Sequence, residues 1–235
     1  MQGAFARGRV RRETAAFAAV QKWLGRGLAL LALGLVPLAP ASAETLEVSV
    51  ANSLFGGHPL VSLRPELLPK WADVLERYSV EQRRAAEDCR VAAQCDVQLW
   101  FDILAGLRSK ELREQVEAVN RYVNEAPYVP DDVNYRRLDY WATPWELFRR
   151  GGDCEDYALA KFFALRALGL SGGKMRLMIV QDLELGRPHA VLAVNVDGEI
   201  LVLDNQTAAI IPARDLNRYA SIYSVNERYW WLHAS

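Results

Sequence analysis

The spacing of hydrophobic residues changes near the middle of this 235-residue chain. From residue 44 to about residue 126, apolar side chains recur every three or four positions, which is typical of amphipathic α-helices. In the second half they alternate with polar residues or form short runs, which is typical of β-strands. A helical N-terminal half followed by an antiparallel sheet predicts an α+β domain.

Turn-forming residues divide the chain into predicted elements. The predicted helices cover 65–78, 97–107, 111–124 and 153–168, and an extended connection is predicted over 128–143. The predicted strands cover 176–180, 189–196 and 199–203, with one or two more within 219–232.

Asp197-Gly198 joins two of the predicted strands and favours a two-residue hairpin turn. With that turn, residues whose numbers add up to about 395 lie opposite each other. His189 and Asp204 then project from the same face of the hairpin as diagonal neighbours. A shift of one residue in either strand would separate them, so the prediction depends on the register.

A double glycine precedes an acidic segment that contains a cysteine, 151–156 (Gly-Gly-Asp-Cys-Glu-Asp). Two glycines permit a tight turn and Asp153 is a favourable N-cap, so Cys154 is predicted in the first turn of a helix. The helix dipole and the unpaired N–H groups there favour a thiolate and are suited to stabilising an oxyanion. Glu155 and Asp156 oppose this by raising the pKa of the thiol, so an imidazolium or a bound cation is needed nearby.

Cys154, His189 and Asp204 together have the composition of a nucleophilic triad. In such a triad a carboxylate orients an imidazole, which in turn activates the nucleophile. Their order, on a helix start followed by two strands, is compatible with papain-like geometry. A single cysteine or histidine in such a position is more often structural. The catalytic hypothesis therefore rests on the combination of the three residues.

Residues 1–43 have the pattern of a removable export signal. Six basic residues precede or flank an apolar stretch, 27–39, and Ala41-Ser42-Ala43 forms a small-x-small cleavage site. The apolar stretch is short for a membrane span of about 20 residues, although a retained anchor is the alternative. The predicted mature domain is then 44–235, a single exported domain.

The charge and cysteine content restrict the class of the predicted mature domain. Removing six basic and one acidic residue from totals of 28 and 29 leaves a net charge of −6. An acidic domain lacks the basic surface that nucleic-acid binding requires. Of the three cysteines, Cys89 and Cys95 are close enough in sequence to form a disulfide, which leaves Cys154 free. The alternative is that all three stay reduced.

Several segments resemble the LapG-type family, the bacterial transglutaminase-like cysteine proteinases. The resemblance lies in 140–144 (Tyr-Trp-Ala-Thr-Pro), 151–158, 189–192 (His-Ala-Val-Leu), 203–205 (Leu-Asp-Asn) and the closing 223–232. It implies a papain/transglutaminase-like fold with Cys154 as nucleophile, His189 as base and Asp204 as orienting acid.

The resemblance also implies a cofactor and partners. Members of this family are calcium-dependent periplasmic endopeptidases, and the resemblance assigns Ca²⁺ ligation to Asp153, Glu155 and Asp156, whose hard oxygens suit calcium. The expected substrate is the N-terminal region of a large surface adhesin, whose cleavage releases cells from a biofilm. The expected regulator is an inner-membrane receptor for cyclic di-GMP, which sequesters the protease.

Two other functions use the same residues. The triad is also suited to acyl transfer to an amine, as in transglutaminases. A non-catalytic calcium-binding partner domain, in which Cys154 has no chemical role, is the third interpretation. For Asp153, Glu155 and Asp156, helix capping and helix-dipole complementation is the alternative to metal binding.

Overall fold

The computed structural model describes residues 54–56, 58–62, 64–91 and 98–234. The predicted signal peptide, residues 1–43, lies outside them, as does Cys95, so the predicted disulfide lies outside the described residues as well.

The helices of the described residues mostly follow the sequence prediction. The first begins later than predicted because Pro65–Leu67 forms a 3₁₀ turn, and it continues well beyond Tyr78. The bounds are α1 Pro69–Val91, α2 Gln98–Leu107, α3 Leu112–Val123, α4 Asp131–Asn134, α5 Pro144–Arg150 and α6 Cys154–Ala167.

Two of these helices were not predicted. The single turn α4 interrupts 128–143, so the prediction of a fully extended connection was wrong there. Helix α5 has a strong local signal, because Thr143 and Glu146 form a reciprocal capping box. The Glu146 N–H donates to Thr143 Oγ1 at 3.3 Å, and the Thr143 N–H donates to the Glu146 carboxylate at 2.9 Å. Pro144 at the first helical position adds to that signal.

In the part of the chain that the structure describes, the strands form one seven-stranded sheet in the order β1-β7-β6-β2-β3-β4-β5, and every neighbouring pair is antiparallel. This confirms the α+β prediction. Strand β1 lies in the half predicted to be helical. It was not predicted because its five residues are too few to show a period and because its partner, β7, is distant in sequence. The bounds are β1 His58–Ser62, β2 Met175–Asp182, β3 Arg187–Val196, β4 Glu199–Leu203, β5 Ile211–Pro212, β6 Tyr219–Val225 and β7 Trp230–Ala234.

Helix α6 is the central helix of the domain. It packs against β2 and β3 on one side and against α3 and α5 on the other. Its side chains are buried continuously from Glu155 to Leu165. A helix that is enclosed all round holds its first residue, Cys154, in a fixed place relative to the sheet.

The other face of the sheet carries a smaller apolar cluster. Met178, Val180, Val191, Val202 and Tyr219 belong to it, and all are buried. The sheet is therefore buried on both faces at its strands β2 and β3. Among the described residues, none of the helices combines the length and hydrophobicity that a bilayer span requires.

Candidate active site

The turn before α6 explains the double glycine. Gly151 has a φ of 78°, and a Cβ there would lie 2.6 Å from the carbonyl oxygen of Pro127. Gly152 forms a two-bond bridge with the preceding segment: its N–H donates to the Pro127 oxygen at 3.2 Å, and its oxygen accepts from Val129 at 2.9 Å. A Cβ at Gly152 would lie 2.3 Å from Asp156 Oδ2. Side chains at either position would displace the helix start that carries Cys154.

The Cys154 thiol lies in an acidic, half-buried environment. Its Sγ is 3.3 Å from Glu155 Oε2. Burial, followed by the charges of Glu155 and Asp153, raises the pKa of the thiol far above its ordinary value. The backbone N–H of Ala190 acts in the opposite direction and partly lowers the pKa of the thiol. Since α6 packs on β3, the fold places the predicted nucleophile at the start of a helix that lies against the strand of the predicted base.

The hairpin register is confirmed. Leu192 pairs with Leu203 and Val196 with Glu199 across the Asp197-Gly198 turn. His189 and Asp204, just beyond the paired residues, meet through His189 Nε2 and Asp204 Oδ1 at 2.8 Å.

Asp204 is buried and accepts two further hydrogen bonds. The Gln206 N–H donates to Oδ1 at 2.9 Å, and the Tyr219 hydroxyl donates to Oδ2. Burial alone would raise the pKa of Asp204, but its hydrogen bond to His189 and the attraction between the two groups, with the other donors, lower it to about 2. A carboxylate therefore faces Nε2 at neutral pH, which leaves Nδ1 as the ring nitrogen that is available to the thiol.

The predicted calcium ligands belong to a larger acidic cluster. Ligand oxygens of Asp131, Asp153 and Asp156 lie within 4.8 Å of one another, and Asp131, Asp139 and Glu155 form a second such group. Asp131 and Asp139 were not among the ligands predicted from the sequence. The bridge between the segment before α4 and Gly152 brings α4 to the start of α6, and this long-range contact has no local sequence signal.

The chemistry of this acidic cluster fits a divalent cation. Asp131 Oδ1 and Asp153 Oδ1 are buried and have no hydrogen-bond partner among the described residues. Burial and the neighbouring acids raise the pKa of Asp131 to about 6 and that of Glu155 to about 9, and raise the pKa of Asp156 well above its ordinary value. Buried carboxylates of like charge are costly unless a cation neutralises them, and several hard oxygens are the ligand set that Ca²⁺ prefers.

Asp156 also has a structural role. It accepts a hydrogen bond from the Ala142 N–H at 2.6 Å and another from the Asp153 N–H at 3.1 Å. The capping role that the sequence left open for the acids is therefore seen for Asp156, and it positions this carboxylate at the edge of the acidic cluster.

Lys161 is an unexpected charge inside α6. It is fully buried, and its Nζ has no hydrogen-bond partner among the described residues. Burial lowers its pKa to about 7, and attraction to Asp204 opposes that shift. At neutral pH a buried ammonium of this kind is destabilising, because desolvation is not offset by hydrogen bonds.

We expect Lys161→Met to raise the free energy of unfolding at pH 7 by about 1–4 kcal/mol. The folded-state pKa is lowered from the ordinary 10.5, so the penalty is complete below about pH 7 and vanishes as the pH approaches 10.5. The gain, measured by urea denaturation, should therefore shrink between pH 7 and pH 10. Lys110→Met, at an exposed lysine, is the control and should change stability little. A clearly destabilised Lys161→Met protein would contradict this prediction.

Comparison with known proteins agrees with the geometry. The family description "Bacterial transglutaminase-like cysteine proteinase BTLCP" matches residues 82–234, a range that contains Cys154, His189 and Asp204. No curated protein sequence is a significant match.

Solved structures of Legionella pneumophila LapG resemble the chain. One is 31% identical, with a TM-score of 0.53 over 58% of this chain and 76% of LapG. A calcium-bound LapG is 30% identical, with a TM-score of 0.54 over 64% of this chain and 84% of LapG. An EGTA-treated LapG is 31% identical, with a TM-score of 0.54 over 60% and 77%. With the family match covering more than half of the chain, this protein belongs to the bacterial transglutaminase-like cysteine proteinases and is a LapG-type cysteine protease.

Proposed function

We propose that this protein is a calcium-dependent cysteine endopeptidase with Cys154 as nucleophile, His189 as general base and Asp204 as the acid that orients the imidazole. The observation that carries the proposal is the pairing of His189 Nε2 with Asp204 Oδ1 at 2.8 Å, on the strand β3 against which the helix of Cys154 packs. This arrangement supports the order acid, base, nucleophile.

The chemistry follows from this geometry. His189 Nδ1 accepts the thiol proton, and Asp204 stabilises the imidazolium that forms. The thiolate attacks the carbonyl carbon of the scissile peptide bond, and N–H groups at the start of α6 stabilise the oxyanion. The imidazolium then protonates the leaving amine. His189 finally removes a proton from water, which hydrolyses the thioester, releases the acid product and restores the thiol.

The acidic cluster is proposed as the calcium site. Asp153, Glu155 and Asp156, as predicted from the sequence, together with Asp131 would hold the ion. When bound, the ion supplies positive charge that lowers the pKa of nearby acids and of the thiol. The two unpartnered oxygens and the existence of a calcium-bound LapG support this assignment.

The substrate is proposed to be the N-terminal region of a large surface adhesin. Exposed apolar side chains on the segments that lead to the catalytic residues support a polypeptide substrate. Tyr128, 54% exposed, pairs with Gly152 just before Cys154, and Leu183 and Leu185 are exposed in the β2–β3 turn that precedes His189 in the chain. Cleavage of the adhesin would release cells from a biofilm.

The location and regulation are also proposals. The signal-peptide pattern of residues 1–43 supports export to the periplasm. The resemblance of the sequence to the LapG-type family implies control by an inner-membrane cyclic di-GMP receptor that binds the protease. The acidic charge of residues 44–235 argues against a nucleic-acid partner.

We expect calcium-loaded protein to cut a recombinant N-terminal adhesin fragment and to produce new termini that mass spectrometry identifies. The reaction includes a biotin-labelled primary amine, which tests acyl transfer in the same tube. Hydrolysis predicts new carboxyl termini without label. Amine-labelled or crosslinked fragments as the main product would show a transglutaminase instead, and an uncut fragment would contradict the substrate proposal.

A further inference from the structure

Each oxygen of Asp204 has its own set of donors. Oδ1 accepts from His189 Nε2 at 2.8 Å and from the Gln206 N–H at 2.9 Å. Oδ2 accepts from the hydroxyl of Tyr219. Since Asp204 is only 5% exposed, water has little access to replace any of these donors.

Tyr219 is itself held firmly. It begins β6, is 4% exposed, and pairs with Asp182 across the sheet. Its ring packs edge-on against Phe55, with centroids 5.8 Å apart, and lies under the Arg218 guanidinium at 5.1 Å. Its ring centroid is also 5.8 Å from that of His189. The hydroxyl therefore meets Oδ2 from a ring whose position is set by three neighbours.

Arg218 connects this ring to the rest of the site. It donates to Gln206 Oε1 at 2.9 Å and forms an ion pair with the buried Asp182. The loop after β4, which supplies the Gln206 N–H, and the strand that carries Tyr219 are thus held to each other. The two other donors to Asp204, the Gln206 N–H and the Tyr219 hydroxyl, are therefore linked to each other through Arg218.

Removing the Tyr219 hydroxyl would leave a buried carboxylate oxygen without a donor. An unsatisfied buried acceptor is costly, and the carboxylate torsion is soft, so rotation toward other donors becomes favourable. Rotation weakens the bond from Oδ1 to His189 Nε2, and that bond decides which ring nitrogen carries the proton.

We propose that Tyr219 is a positioning residue of the triad: its hydroxyl fixes the Asp204 carboxylate so that His189 is protonated on Nε2 and presents an unprotonated Nδ1 to Cys154. This inference rests on the proposed function, because it assigns roles to the same triad.

The test compares Tyr219→Phe with the wild type in the calcium-loaded protein. Phenylalanine keeps the ring between Phe55 and Arg218, so the fold should be retained. Nitrogen-15 NMR of the His189 ring should show the Nε2-protonated tautomer in the wild type and a mixture in Tyr219→Phe. Alkylation of Cys154 by iodoacetamide, located by mass spectrometry, should be at least about tenfold slower at pH 7 in the variant.

The pH profile of that alkylation separates positioning from packing. The Tyr219 hydrogen bond is among the interactions that lower the pKa of Asp204, so its loss raises this pKa and moves the acid limb of the profile to higher pH. The control is Tyr229→Phe, which removes a hydroxyl from a ring that packs at a tilt against Trp231 with centroids 5.4 Å apart, and it should match the wild type.

A wild-type tautomer and pH profile in Tyr219→Phe would overturn the inference. The outcome is distinguishable from failure of the proposed function. An unreactive Cys154 in the wild type would refute the protease mechanism, while the ring tautomers of the two proteins would still decide whether Tyr219 positions Asp204.

Discussion

Cys154→Ala is expected to abolish peptide-bond cleavage and to leave the fold intact. No other group in the proposed mechanism forms the thioester, so activity should fall by at least about 10³-fold. Cys154 is half-buried at a helix start, and alanine is a good helix former that fits the space. Cleavage of the adhesin fragment measures activity, and circular dichroism with thermal melting measures the fold.

The matched control removes the other cysteines. Cys89→Ala/Cys95→Ala keeps Cys154 and should keep cleaving when it is folded. Cleavage by a folded Cys154→Ala protein would rule out the thiol as nucleophile and would favour the interpretation of a non-catalytic calcium-binding domain.

Calcium is expected to stabilise the protein strongly and to be required for cleavage. At a concentration 100 times its Kd, a bound ligand adds about 2.7 kcal/mol, which for a domain of this size raises Tm by about 5–10 °C. Without calcium, the pKa of Asp131 is raised to about 6 and that of Glu155 to about 9. These carboxyls then hold protons that the unfolded chain has released above about pH 4, so the contribution of the acidic cluster to stability falls as pH rises.

The calcium-induced rise in Tm should therefore grow from pH 5.5 to pH 8, because protons compete with the ion at low pH. Scanning calorimetry with calcium or EGTA at both pH values measures this. Asp131→Asn should remove most of the effect. Asp132→Asn is the matched control, since Asp132 is exposed and lies outside the acidic cluster. A Tm that calcium does not change at either pH would refute the metal assignment. It would not bear on the proposed triad.

The local parts of the site were predictable from the sequence. Asp197-Gly198 dictates a two-residue turn, and the turn fixes which residues of β3 and β4 face each other, so the approach of His189 to Asp204 follows. The double glycine before Cys154 likewise predicts a helix start, since both glycine positions lack room for a side chain.

The parts that depend on distant contacts were not predictable. Asp131 joins the acidic cluster because Tyr128 pairs with Gly152, just before α6. These two residues are more than 20 positions apart in sequence, so no local pattern predicts their contact. Tyr219 reaches Asp204 because β6 pairs with β2 in the sheet. The spacing of hydrophobic residues does not predict this strand order. The burial of Lys161 was not predicted either, because a lysine in a helix normally occupies an exposed position.

We expect His189, held by Asp204, to make Cys154 a thiolate despite its acidic surroundings. The most direct measurement is the pH dependence of Cys154 alkylation by iodoacetamide in the calcium-loaded wild type and in His189→Ala. The wild type is expected to react rapidly below pH 7, whereas the variant, which lacks the imidazole, should need a markedly higher pH to react. Superimposable profiles in the two proteins would contradict it.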